Sequence, residues 1–186
     1  MGGLGKSVRR ATLQKLGLKS WKRKMDLTNR MWVEIEQVID GLDLPYEKVR
    51  LYQDGFPVCG RETEIIADLV KAESRNHRLL FRLMEKGAIL MGTESSELLV
   101  EEYQLIKQIM AAKDPQEAAK IEARQKALSD SILKRRDQFI SNRINTTLNE
   151  GETGILFLGM LHSPGEWLNR DIGVIYPLNR PPNQGR

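Results

Sequence analysis

Cysteine is almost missing from this chain of 186 residues, with Cys59 as the single thiol. One cysteine excludes an internal disulfide framework and any multi-cysteine zinc cage. Long apolar runs are missing too. The longest extends only from Ile155 to Leu161, far short of the ~20 residues a helix needs to span a bilayer, so no membrane span is expected. The N-terminal residues hold no secretory h-region, and a cytoplasmic location follows as the expectation. Histidine is scarce: His77 and His162 are the only two. What is present, 40% hydrophobic and 29% charged residues, is the balance of a globular chain, not a disordered one. A chain of this size buries roughly two-thirds or more of its unfolded surface. One α/β domain over residues 1–178 is expected, with 179–186, which contain Pro181-Pro182, as a flexible C-terminal tail.

The net charge of +4 is unevenly spread. Lys6, Arg9, Arg10, Lys15, Lys19, Lys22, Arg23 and Lys24 all precede the first acid, Asp26. A basic end of this kind suits an anionic partner, or simply a solvated helix face. Trp21 is the only aromatic residue among these cations, so a stacking platform for nucleic acid is poorly supported. GGLGKS, at Gly2 to Ser7, has the glycines of a phosphate loop but not its spacing, and no strand precedes it.

Hydrophobic periodicity orders the elements. Trp21, Met25, Trp32, Ile35, Ile39 and Leu42 recur at helical steps and stop near Asp40-Gly41. A short strand around Val49 to Tyr52 ends at the turn Gln53-Asp54-Gly55. A helix over about Glu62 to Lys86 closes on Gly87, and Ala88 to Met91 forms a second strand. A third helix follows Gly92 to Ser96, where Ser or Thr is available as N-cap, and a fourth begins at Asp114-Pro115 and reaches toward Leu148. The apolar run from Gly154 to His162 reads as a strand buried on both faces, and Ile172 to Tyr176 as a last strand. Strands separated by long helices imply crossovers. The expected fold is therefore α/β: a short, mostly parallel sheet of about four strands flanked by long helices, with an N-terminal strand missing.

In a parallel sheet the carboxyl ends of the strands share one rim, where ligands bind. Asp54, Glu94 and His162 each follow a predicted strand. Two carboxylates and an imidazole at that rim suit general acid–base work or a divalent ion. The structural alternative has Asp54 holding a turn, Glu94 favoured near a helix N-terminus, and His162 capping a strand. Arg136 and Arg143, seven residues apart on one helix face, are candidates to hold an anionic ligand. His77, beside two arginines in a predicted helix, reads as a surface residue. Cys59 has no partner base in sequence that would make it a nucleophile. The spacing names no cofactor, metal or substrate.

Arg136-Asp137 through Ile144, followed by the strand ending Gly159-Met160-Leu161-His162, resembles the second half of TraB/pheromone-shutdown-type proteins, which group with erythromycin-esterase-like and haem-uptake-lipoprotein-like proteins. The resemblance covers roughly 30 residues and rests on an Arg-Asp pair and a Gly-x-x-His motif. It implies an α/β domain with charged groups and histidines around one cleft, and a hydrolase or metal-dependent protease activity for some members. Such proteins also carry an early strand ending in a histidine or glutamate motif, which has no counterpart here. The segments Tyr52 to Gly60 and Met91 to Ser95 resemble a family of prokaryotic α/β proteins that brings no activity with it.

The leading expectation is a ligand-binding or hydrolytic site at the strand ends. His162 and Glu94 are its catalytic candidates, and Asp54, Arg136 and Arg143 its ligand-binding ones; the ligand, a small molecule or a peptide, is left open. The alternative is a non-catalytic regulatory or assembly protein that forms homo-oligomers, suggested by the long fourth helix and by Trp21 and Trp32.

Overall fold

The computed structural model describes residues 22–23, 25–71 and 75–178. GGLGKS, Trp21, most of the early cations and the 179–186 tail lie outside them. The chain divides into two compact units, the first ending at Asp43 and the second beginning at Leu44. In the first, residues 22–23 and 25–40 are helical (α1). The helix closes at Gly41, whose N–H donates to the carbonyls of Gln37 and Val38 at 3.1 and 3.2 Å. Asp40-Gly41 thus ends the helix where its sequence signal lies.

The second unit opens with a 3-10 helix, Tyr46–Lys48, that leads into β1, Val49–Gln53. Helices α2, Glu62–Lys71, and α3, Arg75–Glu85, occupy the region where the periodicity predicts one helix. Gly87 (φ 110°) turns the chain after α3 and into β2, Ile89–Met91. Two helices follow, each started by its expected cap. The Ser95 hydroxyl accepts from the Leu98 N–H ahead of α4, Ser96–Met110. The Asp114 carboxylate accepts from the Gln116 and Glu117 N–H groups, both at 2.8 Å, ahead of α5, Pro115–Thr147. A cap of this kind contributes about 1 kcal/mol, and Pro115 supplies the preset φ of a first helical residue. β3, Thr153–Phe157, and a 3-10 helix, Pro164–Trp167, complete the described elements.

The sheet has three strands in the order β2-β1-β3, all parallel. Leu51, at its centre, stands opposite Leu90 on one side and Ile155 on the other. A four-stranded sheet is not formed among the described residues, because Ile172 to Tyr176 takes no strand conformation. Ile172 packs instead against the cluster of Tyr52, Ile140 and Ile144, and Val174 and Ile175 are left exposed. The strand at Gly154 is also shorter than its apolar run: pairing stops at Phe157 opposite Gln53. Leu158 to Leu161 lead away from the sheet into a turn, closed by the His162 N–H donating to the Gly159 carbonyl at 3.1 Å.

Burial follows the central strand. Val49, Leu51 and Tyr52 are buried, and the Tyr52 hydroxyl is paired with Thr147 Oγ1 at 2.9 Å. On α5, Ile132, Arg136, Ile140 and Ile144 form one buried line at four-residue steps, with Asp137 and Ser141 beside it. Helices α2 and α3 pack on each other and on β2 with Ile66, Leu79, Leu80 and Leu83 buried. Each such side chain stabilises the fold by about 1.5–3 kcal/mol. Arg50 clamps the start of the sheet, its guanidinium donating to both Glu152 oxygens at 2.7 and 2.8 Å. No helix among the described residues is long and apolar enough to cross a membrane.

Candidate functional site

Parallel pairing brings the ends of β1, β2 and β3 to the same rim. Asp54 is the first residue after β1, its N–H donating to the Phe157 carbonyl at 2.9 Å. Glu94 follows β2 by three residues and is fixed by backbone pairing: its N–H donates to the Phe56 carbonyl, and its carbonyl accepts from the Val58 N–H. The loop from Gly92 to Glu94 runs close against residues 56–58. A Cβ on Gly92 would meet the Val58 Cα at 2.6 Å, so only glycine fits there. His162 lies on the turn beyond β3. One ligand-capable atom from each of Asp54, Glu94 and His162 falls within 4.8 Å of the others. The three residues converge, as the shared rim predicts.

Arg136 lies in the midst of them. Its Nη2 donates to Asp54 Oδ1 at 2.6 Å and to Glu94 Oε1 at 2.5 Å. Its Nε reaches Glu94 Oε2 at 3.2 Å, and its Nη1 reaches Glu102 Oε1, on α4, at 2.8 Å. The guanidinium thus serves three carboxylates of its own chain, and an anion-holding role would require it to give one of them up. Arg143, about two turns further along α5, donates from Nε to the Gly92 carbonyl at 3.1 Å and so braces the loop that carries Glu94.

His162 is held from both sides. Its Nδ1 lies 2.5 Å from Asp137 Oδ1, and its Nε2 faces Asp54 Oδ2 at 3.4 Å. The second Asp137 oxygen accepts from the Ser163 N–H at 2.8 Å, and Asp54 Oδ2 accepts from the Gly159 N–H at 3.1 Å. Ser141 Oγ, one turn along from Asp137, is 2.7 Å from the Pro164 carbonyl and ties the same loop to α5. Glycine suits position 159 because a Cβ there would stand 3.0 Å from Asp54 Oδ2.

The electrostatics follow from this packing. Burial opposes a charged His162, but the hydrogen bonds to Asp137 and Asp54 and the Asp54 charge prevail, and its pKa is pushed up to about 9. Burial also opposes an ionised Asp54. The hydrogen bond and charge of His162, then Arg136 and the Gly159 N–H, hold its carboxyl well below the usual range. Glu94 is wholly buried, and burial raises its pKa against the pull of Arg136 and the Gly55 N–H. Burial disfavours the Arg136 cation, yet Glu94, Glu102 and Asp54 together raise its pKa above the ordinary arginine value.

Access divides these groups by role. The Glu94, Arg136, Asp137 and His162 side chains are at most 6% exposed, whereas Asp54 is 24% exposed. Glu102 is 35% exposed at the far arm of Arg136, and Asp54 is the solvent-reachable carboxylate that lies beside the imidazole. Asp137, quoted from sequence only as half of the Arg-Asp pair, and Glu102, not singled out at all, complete the site. For Asp137 a signal was present: Ile132, Ile140 and Ile144 make an apolar line on α5, and charged residues on or beside that line are buried with it.

The donor set does not fit a resident divalent ion. The Arg136 guanidinium already bridges Asp54 and Glu94, so the carboxylate oxygens an ion would need are taken by a cation of the chain itself. Two other residues lie apart from these contacts. Cys59 is exposed, its N–H donating to Glu62 Oε1. His77 is half-buried in α3 instead of lying on the surface, and burial lowers its pKa. No protein-family model, curated protein or solved structure matches this chain.

Proposed function

We propose that the strand rim is a general acid–base site that hydrolyses a small polar ester or amide, in a cytoplasmic protein of the TraB/erythromycin-esterase-like type. One observation carries this reading: the His162 imidazole is fixed between Asp137 at 2.5 Å and the reachable carboxylate of Asp54 at 3.4 Å. Asp137 holds Nδ1, which directs the Nε2 proton toward Asp54, the orienting role a buried aspartate plays toward a catalytic histidine.

In the proposed reaction Asp54 accepts a proton from water as that water attacks the substrate carbonyl carbon. His162 Nε2 gives its proton to the leaving oxygen or nitrogen as the bond to carbon breaks. The proton on Asp54 then returns to Nε2, and both groups are restored. Arg136 keeps Asp54 ionised and in place. Glu94, wholly buried, acts through Arg136 and is a positioning residue rather than a catalytic one.

A panel of p-nitrophenyl esters tests the reading. Positioned proton transfer contributes typically 10²–10⁴-fold, so His162→Gln and Asp54→Asn should each lower kcat/KM by about that factor while the circular dichroism spectrum is kept. Equal turnover by the wild type and both folded variants would refute it.

Self-association is a second reading, favoured by a specific feature. Met160 and Leu161, on the turn that carries His162, are 95% and 80% exposed, and Ile175 is 87% exposed. Large apolar side chains left in water mark interaction surfaces when they gather. The expected result is a dimer by sedimentation at micromolar concentration that dissociates in Met160→Ser/Leu161→Ser. A strict monomer would remove this reading.

A further inference from the structure

We infer that Arg136 is the resident cation of this site, occupying the place that a divalent ion would otherwise take among Asp54, Glu94 and His162. The inference rests on the acid–base reading above and concerns how that site balances its charge. Four carboxylates, those of Asp54, Glu94, Glu102 and Asp137, surround two cations, Arg136 and His162. The Asp54, Glu94 and His162 ligand atoms lie within 4.8 Å of one another, somewhat more than the ~4.0–4.4 Å that opposite ligands at ~2.0–2.2 Å from one ion span, so with the guanidinium gone the side chains need to close in only slightly to share an ion. A single guanidinium nitrogen, Nη2, stands 2.6 Å from Asp54 and 2.5 Å from Glu94. It satisfies both carboxylates as an ion would, but its charge is covalently tethered and needs no supply of metal.

The guanidinium is held there by the fold and not by solvent. Arg136 lies in the middle of α5 on the buried line with Ile132 and Ile140, and Glu102 on α4 fixes its other arm at 2.8 Å. Helices α4 and α5 pack on each other, so the arm cannot swing out without breaking that pair. A planar fork with fixed donors suits two carboxylates better than a lysine would. Wild-type protein therefore takes up no divalent ion at the rim, and removal of the guanidinium exposes a latent oxygen–oxygen–nitrogen site.

Cobalt(II) is the probe, because its visible absorption reports nitrogen and oxygen ligation directly and needs no substrate. Titrated at neutral pH, wild-type protein should show no stoichiometric uptake at micromolar metal. Arg136→Met should bind one equivalent, and Arg136→Met/His162→Ala should lose it. If Arg136→Met is unfolded without metal, stoichiometric cobalt should restore its circular dichroism spectrum. Micromolar uptake by the wild type that disappears in His162→Ala would overturn the inference. So would a folded Arg136→Met that binds nothing, or an unfolded one that metal does not rescue. None of these outcomes changes ester turnover by wild-type protein, so failure here and failure of the acid–base reading are told apart.

Discussion

Arg136→Met, measured by urea denaturation at pH 7 without metal, is expected to lose about 3–5 kcal/mol of stability, the cost of breaking a buried ion pair from one side. The magnitude follows from what stays behind. Glu94 is wholly buried, and both of its oxygens accept from Arg136. Asp54 Oδ1 shares the same nitrogen. Without the guanidinium, Glu94 keeps a charge that water does not reach, with the Asp54 carboxylate close beside it. The deficit should shrink on acidification, because Glu94 in the variant gains its proton more readily when folded than when unfolded, and a raised folded pKa stabilises the fold below it. Arg136→Met/Glu94→Gln should recover part of the loss, since it removes the stranded charge as well. A folded Arg136→Met variant that loses under about 1 kcal/mol at pH 7 would mean that the pair behaves like an exposed one.

His162 should give the second large effect, in the alkaline direction. Its pKa is about 9 when folded, against about 6.5 for an unperturbed histidine. A raised folded pKa contributes stability that is complete below about pH 6.5 and is lost as pH rises through 9. The shift corresponds to on the order of 3 kcal/mol. Denaturation at pH 6, 8 and 10 should show the advantage of wild type over His162→Gln falling by about that amount across the window. With only two histidines in the chain, proton NMR resolves the cause. One imidazole should titrate near pH 9, and the other, His77, below the ordinary value because burial disfavours its charge. A His162 midpoint near 6.5 would show that Asp137 and Asp54 do not hold its proton. Asp54 acts on the opposite limb. Its lowered pKa gives stability present above about pH 4, which fades as pH falls toward its folded pKa.

Both effects depend on residues that local pattern identifies unequally. Helix starts and stops were legible: Ser95, Asp114-Pro115, Asp40-Gly41 and Gly87 each mark an element end by capping chemistry that operates over a few residues. A shared rim for Asp54, Glu94 and His162 was legible as one of two readings, because crossover helices imply parallel strands and parallel strands share a rim, but nothing in the spacing excluded three separate structural roles. A fourth strand at Ile172 to Tyr176 was not, since its apolar pattern suits a strand equally well whether the residues pair or pack on a neighbouring cluster. In the fold Ile172 packs on Tyr52, Ile140 and Ile144 instead.

The amino-acid sequence by itself determined most helix ends and the parallel direction of the sheet, and it pointed to an edge at which charged residues could gather. Those properties follow from periodicity, capping and connection length, all short-range. Only the tertiary structure decided which charge meets which. Arg136 pairs with Asp54 across 82 positions and Asp137 with His162 across 25. In sequence, a charged residue on a helix looks the same whether water or a carboxylate will face it. Burial makes the difference, because a charge removed from water must be matched at hydrogen-bond distance, and that matching is fixed by how α5 lies against the strand ends.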